Sequence, residues 1–314
     1  MSNLTPATLA ADQQATDQQA ADQQTTDQQT SSPQPLRDKN QVSRQFSRAA
    51  SSYDSAASIQ QQALNQLIRL LQQQHPDGIN GHWLDIGCGT GMGLQPLQLL
   101  GASSLHGIDL ADGMLRIARQ KAESLPCPVR FSQADADQLP IQPESTGGGQ
   151  NGKSRLLANG ILSSLMLQWS EDPELTLREW FRAAQPGATL AVATLLPGTH
   201  AEIASTWQQI DQYRHVNNFV TEPVLQQALA NSGWQLQQWQ TGLLQEDYSS
   251  VTALLKGLKA IGATNVNSGR RPGLAGRQLV RLFEQYYPKD NNGHCPLSYQ
   301  LCWFIAYKPE SQTT

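Results

Sequence analysis

Apolar residues alternate between two patterns from about residue 40 of this chain onward. Apolar runs of strand length, bounded by glycine, proline or polar residues, predict strands at 83–86, 103–109, 129–131, 161–169, 186–198, 234–239, 243–248 and 297–307. Apolar stripes at helical spacing predict helices at 40–71, 92–100, 113–122, 175–184, 200–213, 250–261 and 273–287. Tyr53 falls in a predicted break between two halves of the first helical segment.

This alternation predicts an α/β fold with a mostly parallel sheet and helices on both of its faces. The two late helices form an added helical insertion, at about 249–290, before a closing strand. Open sheets of this kind bind ligands at the carboxyl ends of their parallel strands, so we expect the functional residues there.

Residues 1–38 follow neither pattern. Repeats of a DQQ motif, starting at Asp12, fill a segment that is polar, rich in glutamine and nearly without large apolar residues. Such a segment cannot bury enough surface to offset the entropy of ordering, so we predict a disordered head at 1–38 and one folded domain at 39–314. Residues 1–36 also lack the basic and apolar regions of a secretory signal peptide.

Composition narrows the function classes. A net charge of −4 argues against general nucleic-acid binding, and no apolar run reaches the roughly 20 residues that a membrane-spanning helix needs. The four cysteines lack the paired spacing of a metal site and read as reduced thiols: Cys88, Cys127, Cys295 and Cys302. We therefore expect a cytoplasmic protein, with no metal, no membrane and no nucleic-acid partner, and we expect a monomer.

Candidate chemistry starts at residues 83–91, WLDIGCGTG, where an apolar strand leads into a glycine loop. The loop glycines Gly87, Gly89 and Gly91 permit positive φ and close approach of a ligand to the backbone. A dinucleotide fingerprint would place its third glycine at Met92, and a pyrophosphate would not favour the carboxylate of Asp85 beside the loop. The D-x-G-x-G-x-G pattern resembles motif I of the class I S-adenosylmethionine (SAM) methyltransferases, whose methyl donor is cationic.

Two further acids follow at strand ends. Asp109 ends the second predicted strand, where a carboxylate can accept both ribose hydroxyls of a nucleoside, and Asp112 is the better candidate to cap the next helix. Asp135 follows the third strand and is placed to meet an adenine amino group, with Ala136 against the ring. The predicted cofactor-binding residues are Asp85, Gly87, Cys88, Gly89, Gly91, Asp109, Leu110, Met114, Asp135 and Ala136.

Residues 40–308 as a whole resemble the malonyl-acyl-carrier-protein O-methyltransferases of biotin synthesis. Four segments carry the resemblance: FSRAASSYDSAASIQ near the start, SSLMLQW after the fourth strand, LKGLKAIGATNVNSGRRPGLAGRQL in the late helices, and PLSYQLCWFIAYKP at the end. The chain departs from that family at Ala158-Asn159, where its members usually carry Phe-Asp, and in the glycine-rich insertion just before.

The resemblance implies a Rossmann-like class I fold with a seven-stranded, mostly parallel sheet and an antiparallel last strand. It also implies transfer of the SAM methyl group to the free carboxylate of malonyl-acyl-carrier protein. That carboxylate is ionised at neutral pH, so no catalytic base is obligatory and catalysis rests on alignment. Tyr53, Gln168 and Trp169 are the predicted positioning residues.

Basic residues are candidates for binding the substrate and its carrier. Arg44, Arg48 and His215 are candidates for the malonyl carboxylate. Residues 251–289 contain one acidic residue, Glu284, and seven basic residues: Lys256, Lys259, Arg270, Arg271, Arg277, Arg281 and Lys289. This excess of positive charge makes the segment a candidate dock for an acidic carrier protein.

Three alternatives stay open on sequence alone. The chain could be a class I methyltransferase for another small acceptor, such as a quinone precursor or a free carboxylic acid. It could be a SAM-binding protein without catalysis. A nicotinamide oxidoreductase is disfavoured by Asp85 and by the glycine spacing.

Overall fold

A computed structural model of the chain describes residues 38–141, 157–213, 215–262 and 277–310. The head, for which disorder is predicted, therefore lies outside the described residues up to position 37, and so do the glycine-rich insertion at 142–156 and the basic residues Arg270 and Arg271.

Strands and helices alternate as the sequence predicts. The strands are β1 (His82–Ile86), β2 (Ser104–Asp109), β3 (Val129–Gln133), β4 (Ala158–Ser164), β5 (Ala184–Leu195), β6 (Gln235–Tyr248) and β7 (Cys295–Tyr307). The helices are α1 (Lys39–Ala56), α2 (Ser58–Gln74), α3 (Leu94–Leu100), α4 (Asp112–Ala122), α5 (Pro173–Ala183), α6 (Ala201–Gln208), α7 (Glu222–Asn231), α8 (Val251–Ala260) and α9 (Arg277–Tyr286).

The seven strands form one sheet in the order β3-β2-β1-β4-β5-β7-β6. The neighbours from β3 to β5 pair in parallel, whereas β7 runs antiparallel to both β5 and β6. The predicted mostly parallel sheet with an antiparallel last strand is confirmed. Because β7 is antiparallel, its first residues lie at the edge where the parallel strands end.

Helices cover both faces of the sheet, and alternate residues of the central strands divide between two cores. In β5, Ala191 and Ala193 join the core that contains α2, α8 and α9, whereas Leu190 and Val192 join the core that contains α5 and α7. Near-continuous apolar strands are the expected consequence of burial on both faces. No helix in the described residues is long and apolar enough to cross a bilayer.

Several local expectations were wrong. The break in the first helical segment lies at Ala57, so Tyr53 belongs to the continuous helix α1. Helix α3 begins at Leu94, two residues later than predicted, so Pro96 lies in its first turn, where a missing N–H is tolerated. The two predicted strands at 234–239 and 243–248 are one strand, β6, and α7 was not predicted at all.

The departure at Ala158-Asn159 lies far from the glycine loop along the sheet. Asn159 Oδ1 accepts the backbone N–H of His82 at 2.7 Å, where β1 and β4 both begin. The candidate site is at the opposite ends of these strands, and this amide instead joins β4 to the start of β1.

Candidate active site

A pocket opens at the carboxyl ends of the parallel strands and is covered by α1. Its walls come from the glycine loop after β1, the segments after β2 and β3, and the turn after β4. From α1, Lys39, Val42, Ser43, Phe46 and Tyr53 face this pocket. The predicted site therefore assembles where the topology places ligands, with a helix across it that no local motif indicates.

Asp85 is buried at the start of the glycine loop. The residue is only 3 % exposed, and its Oδ2 has no hydrogen-bond partner in the described part of the chain. Burial, followed by the negative charge of Asp109, raises the pKa of this carboxyl to about 7. A buried, unpartnered carboxylate of this kind is a receptor for a cationic group.

The glycine loop has the backbone conformation that its sequence predicts. Gly87 has φ of 72°, and a Cβ there would lie only 2.4 Å from the Met166 side chain. Gly89 has φ of 54° and faces open space, so its peptide is accessible to a ligand. Cys88 is buried within the loop, and burial raises the pKa of its thiol well above the ordinary value.

Asp109 joins the glycine loop to the start of α4. Its Oδ2 accepts the Gly89 N–H at 2.8 Å, and its Oδ1 accepts the Ala111 N–H at 2.7 Å. Burial raises the pKa of Asp109, while these backbone donors act against that rise. Asp112 lies within the first turn of α4 and Ala111 is the N-cap residue, so the predicted capping role of Asp112 was wrong.

The segment after β3 binds α1 through a residue that the sequence did not single out. Lys39 Nζ lies 2.6 Å from Asp135 Oδ2 and 2.5 Å from Asp137 Oδ2. Burial alone would lower the pKa of Lys39, but its hydrogen bonds to the two carboxylates raise it. Asp135 is thus in the pocket as predicted, but it already forms an ion pair. Leu110, Met114 and Ala136 line the same pocket.

Tyr53 lies where three cavities meet. It lines the pocket just described and a smaller recess beside Asp85 and the glycine loop. It also lines a third cavity, which we call the acceptor cavity and whose far walls include His200, Trp207, His215 and Tyr299. Phe46, Leu165 and Trp169 also line both the first pocket and the acceptor cavity. Burial and the charges of Asp109 and Asp54 raise the pKa of Tyr53, so its phenol stays protonated.

The turn after β4 builds the floor between the two spaces. Leu165 adopts a φ of 57°, which is unusual for a bulky residue. Its N–H donates to Ala193 O at 2.8 Å, and its carbonyl accepts the Gln168 side-chain amide at 2.7 Å. Trp169 packs edge-on against Phe46, with ring centroids 5.4 Å apart. Gln168 and Trp169 therefore both reach the acceptor cavity, as the positioning hypothesis requires.

The candidate substrate residues divide into two groups. His215 lines the acceptor cavity, where it stacks on Trp207 at 3.8 Å and its Nε2 bonds Asp211 Oδ1 at 2.8 Å. Lys259 lines the same cavity from α8. Arg44 and Arg48 instead lie on the exposed face of α1 and line none of the three cavities, because Val42, Phe46 and Tyr53 occupy its inner face.

The remaining basic candidates lie away from the cavity walls. Lys256 and Arg281 are exposed on α8 and α9. Arg277 is the first residue of α9, but its side chain is outside the described part of the structure, so its proposed contact with a carrier protein stays a prediction.

The pocket residues match the chemical groups of SAM. The unpartnered Asp85 oxygen is complementary to an ammonium group, Asp109 beside the open face of Gly89 is complementary to ribose hydroxyls, and Asp135 with the apolar Leu110 and Met114 is complementary to an adenine. Asp109 retains acceptor capacity, because each carboxylate oxygen can accept more than one hydrogen bond.

Known proteins resemble both the sequence and the fold. A family model described as a methyltransferase domain matches residues 56–238. A malonyl-[acyl-carrier protein] O-methyltransferase of Yersinia pestis is 34% identical over 271 residues, covering 86% of this chain and 92% of that protein. A biotin biosynthesis bifunctional protein of Cellvibrio japonicus is 34% identical, covering 87% of this chain and 51% of that longer protein. The solved structure of the Bacillus subtilis YcgJ protein shares the fold at a TM-score of 0.53 and 14% identity, covering 79% of this chain and 100% of that one.

Proposed function

Because the chain belongs to the malonyl-acyl-carrier-protein O-methyltransferase family, we propose that it transfers the SAM methyl group to the malonyl carboxylate of an acyl carrier protein. The product is the malonyl methyl ester that primes pimeloyl formation in biotin synthesis. The observation that carries this proposal is the shared wall at Tyr53, where the cofactor pocket and the acceptor cavity meet.

The chain's own residues hold the two reactants and keep water out. SAM, when bound, supplies an electrophilic methyl group on a sulfonium. Asp85 and Asp109 would hold its amino-acid and ribose parts, and Asp135 would lie at its adenine end. Phe46, Leu165 and Trp169 place apolar surface around the junction, the region where the cofactor pocket meets the acceptor cavity. This surface excludes water from the reacting atoms.

The reaction needs no proton transfer. An oxygen of the substrate carboxylate forms a bond to the methyl carbon as the bond between that carbon and sulfur breaks, giving a neutral ester and S-adenosylhomocysteine. The carboxylate is already ionised near pH 7. Alignment of the two groups can lower the barrier by roughly 7–11 kcal/mol, so Tyr53, Gln168 and Trp169 act by position.

The late helical insertion is the proposed dock for the carrier protein. Lys256 and Arg281 are exposed on α8 and α9, and Lys259 reaches the acceptor cavity from the same side. Carrier proteins are acidic, so a cationic surface beside the cavity would steer the partner and orient its acyl arm. We also propose that the enzyme acts in the cytoplasm as a monomer.

Turnover with a defined set of acceptors tests the proposed function. The purified enzyme should methylate malonyl-carrier protein with labelled SAM, and its gene should rescue a biotin-requiring strain that lacks this methyltransferase. Turnover of a quinone precursor or a free carboxylic acid, with none of malonyl-carrier protein, would assign another small acceptor. SAM binding without turnover of any acceptor would leave a non-catalytic protein.

Charge reversal tests the dock separately. Lys256→Glu with Arg281→Glu should raise KM for malonyl-carrier protein, most strongly at low salt where screening is weak, and should change KM for malonyl-CoA much less. Arg69→Glu, an exposed cation on α2, is the matched control. Equal loss with both substrates would mean that the residues act through folding, and no loss with either would place the dock elsewhere.

A further inference from the structure

The acceptor cavity contains both of the strained backbone positions in the described chain. Among its described non-glycine residues, only Leu165 and His200 have positive φ, at 57° and 58°. Both line the acceptor cavity. Such conformations persist only where the surrounding structure enforces them, and they concentrate at functional sites. The positive φ of Leu165 is explained by its place between the cofactor pocket and the acceptor cavity. His200, in contrast, has no role in the mechanism above.

The chain holds His200 against the start of β7. The backbone N–H of His200 donates to Ser298 O at 2.7 Å, and Thr199 Oγ1 accepts the Gln300 N–H at 3.0 Å. Ser298 and Gln300 flank Tyr299, so these bonds fix the histidine turn on both sides of the tyrosine. The two rings meet edge to face, with centroids 4.7 Å apart.

Both side chains present a buried polar atom with nothing bonded to it. His200 Nε2 and the Tyr299 hydroxyl have no hydrogen-bond partner among the described residues, and Tyr299 is 3 % exposed. Buried polar atoms are nearly always paired in folded proteins, because an unpaired one costs free energy. Two such atoms on neighbouring rings in one cavity indicate that a ligand supplies the missing partner.

The pair is uncharged at neutral pH. Burial lowers the pKa of His200 to about 4 and raises the pKa of Tyr299 well above its ordinary value. The phenol is therefore a hydrogen-bond donor, and the neutral imidazole can donate from Nε2 in one of its two tautomers. Among the described residues, Lys259 is the only lysine that lines this cavity, and it is exposed.

We propose that His200 and Tyr299 form a neutral subsite that binds the carboxylate oxygen which does not attack the methyl group. This inference rests on the proposed function. In the transfer, one carboxylate oxygen bonds to the methyl carbon, the carbon–sulfur bond breaks and no proton moves, so the carboxylate loses its charge. A cation would bind the charged ground state more tightly than the transition state and slow the reaction. Neutral donors serve the carboxylate oxygen and the resulting ester carbonyl alike.

Two variants and one matched control test the subsite. Tyr299→Phe removes only the hydroxyl, and His200→Asn removes the ring but keeps a residue that tolerates positive φ. Each should raise KM about 10- to 150-fold for malonyl-carrier protein and equally for a short malonyl thioester, the range expected for a hydrogen bond to a charged group. The turnover number and the calorimetric Kd for SAM should change little.

Thermal stability separates binding from folding. Tyr299→Phe should keep or raise the melting midpoint, because the lost hydroxyl has no partner. Tyr287→Phe is the control, since that hydroxyl donates to Pro296 O at 2.7 Å and Tyr287 does not line the cavity. This control should lower the midpoint and leave KM unchanged.

The outcomes distinguish this inference from the function on which it rests. Wild-type enzyme that turns over no malonyl thioester overturns both. Wild-type turnover with unchanged KM in both variants overturns the subsite alone. A KM increase confined to the carrier substrate also overturns it, because the pair would then contact the carrier or its arm and not the carboxylate.

Discussion

Replacing Asp85 by asparagine should make the protein more stable while weakening its binding of SAM. The carboxyl is buried and its Oδ2 lacks a partner in the described chain, so its charge is useful only when a cation binds. Asparagine has nearly the same shape but carries no charge. The substitution therefore separates the cost of holding this group in the fold from its value to the ligand.

The magnitude follows from the pKa of Asp85. Burial, and then the charge of Asp109, raise it from 3.8 to about 7. At about 1.4 kcal/mol per pKa unit, keeping the carboxylate ionised at pH 8 costs the folded chain about 4 kcal/mol. An asparagine amide left unpaired costs about 1–3 kcal/mol itself, so the expected net gain is about 2 kcal/mol.

The sign of the pH dependence is fixed by the direction of the shift. The folded state holds this proton more tightly than the unfolded state, so the destabilisation is absent below pH 3.8 and grows as pH rises towards 7. Urea unfolding should show the gain in Asp85→Asn at pH 8 and its disappearance near pH 5. SAM binding to the wild type at pH 7 should release about half a proton, measured by calorimetry in buffers of different ionisation enthalpy, and the variant should lose this release.

Asp109→Asn is the matched control. Both of its carboxylate oxygens accept a backbone N–H, and an asparagine would turn its NH2 donor towards one of those N–H groups. This clash of donors should lower the free energy of unfolding at pH 8, although the pKa of Asp109 is also raised. The reasoning is refuted if Asp85→Asn is less stable than the wild type at pH 8 and binds SAM with unchanged affinity. That result would mean that Asp85 is a structural acceptor and that the cation site lies elsewhere.

Three further predictions test the cofactor site, the head and the buried histidines. Asp109→Ala should weaken SAM binding by roughly 1.5–3 kcal/mol per lost hydrogen bond, and unchanged calorimetric affinity in a folded variant would falsify the ribose assignment. Removing residues 1–36 should leave turnover and melting midpoint unchanged, because the segment has no apolar face to pack; a clear drop in either contradicts this. Burial, and then the charges of His82 and Arg130, lower the pKa of His106 to about 4, so the wild type should lose about 2 kcal/mol through this group as pH falls from 7.5 to 5. In urea unfolding over the same pH range, the free energy of unfolding of His106→Phe should fall by about 2 kcal/mol less than that of the wild type. An equal fall in the two proteins would exclude His106 as the cause.

Local sequence patterns were sufficient to predict that the candidate cofactor residues come together at one edge of the sheet. The glycine loop, Asp109 and Asp135 each follow a strand, and parallel strands bring such positions to one edge. The pairing of Lys39 with Asp135 could not be predicted, since the two residues are 96 positions apart and no motif joins them. His200 and Tyr299 were missed for the same reason, because they meet only when β7 pairs with β5.

The predicted element boundaries were wrong where the local sequence gave little sign of where a helix or strand begins or ends. α7 begins with Glu222 and Pro223 in its first turn, a helix-start signal that could have identified it. β6 was divided at Gly242, yet pairing with β7 continues through that residue to Tyr248. No strong breaker separates α1 from α2, so the break near residue 57 was placed too early. Tertiary contacts fix these points, and propensity alone does not.

The distribution of charge in the two halves of the site fits the chemistry that they would share. Acids line the proposed cofactor pocket and the recess beside it, where we expect Asp85, Asp109 and Asp135 to bind the parts of SAM that stay polar throughout the reaction. At the junction the walls are aromatic and aliphatic instead, with Tyr53 protonated. Transfer from a sulfonium to a carboxylate cancels two opposite charges, so the transition state is less polar than the separated reactants. Water stabilises those reactants more than it stabilises the transition state, and its exclusion by Phe46 and Trp169 therefore favours the reaction. A cation at this junction would oppose that effect, which is the reason why we expect the lysines and arginines of the late helices to act on the carrier and not on the reacting carboxylate.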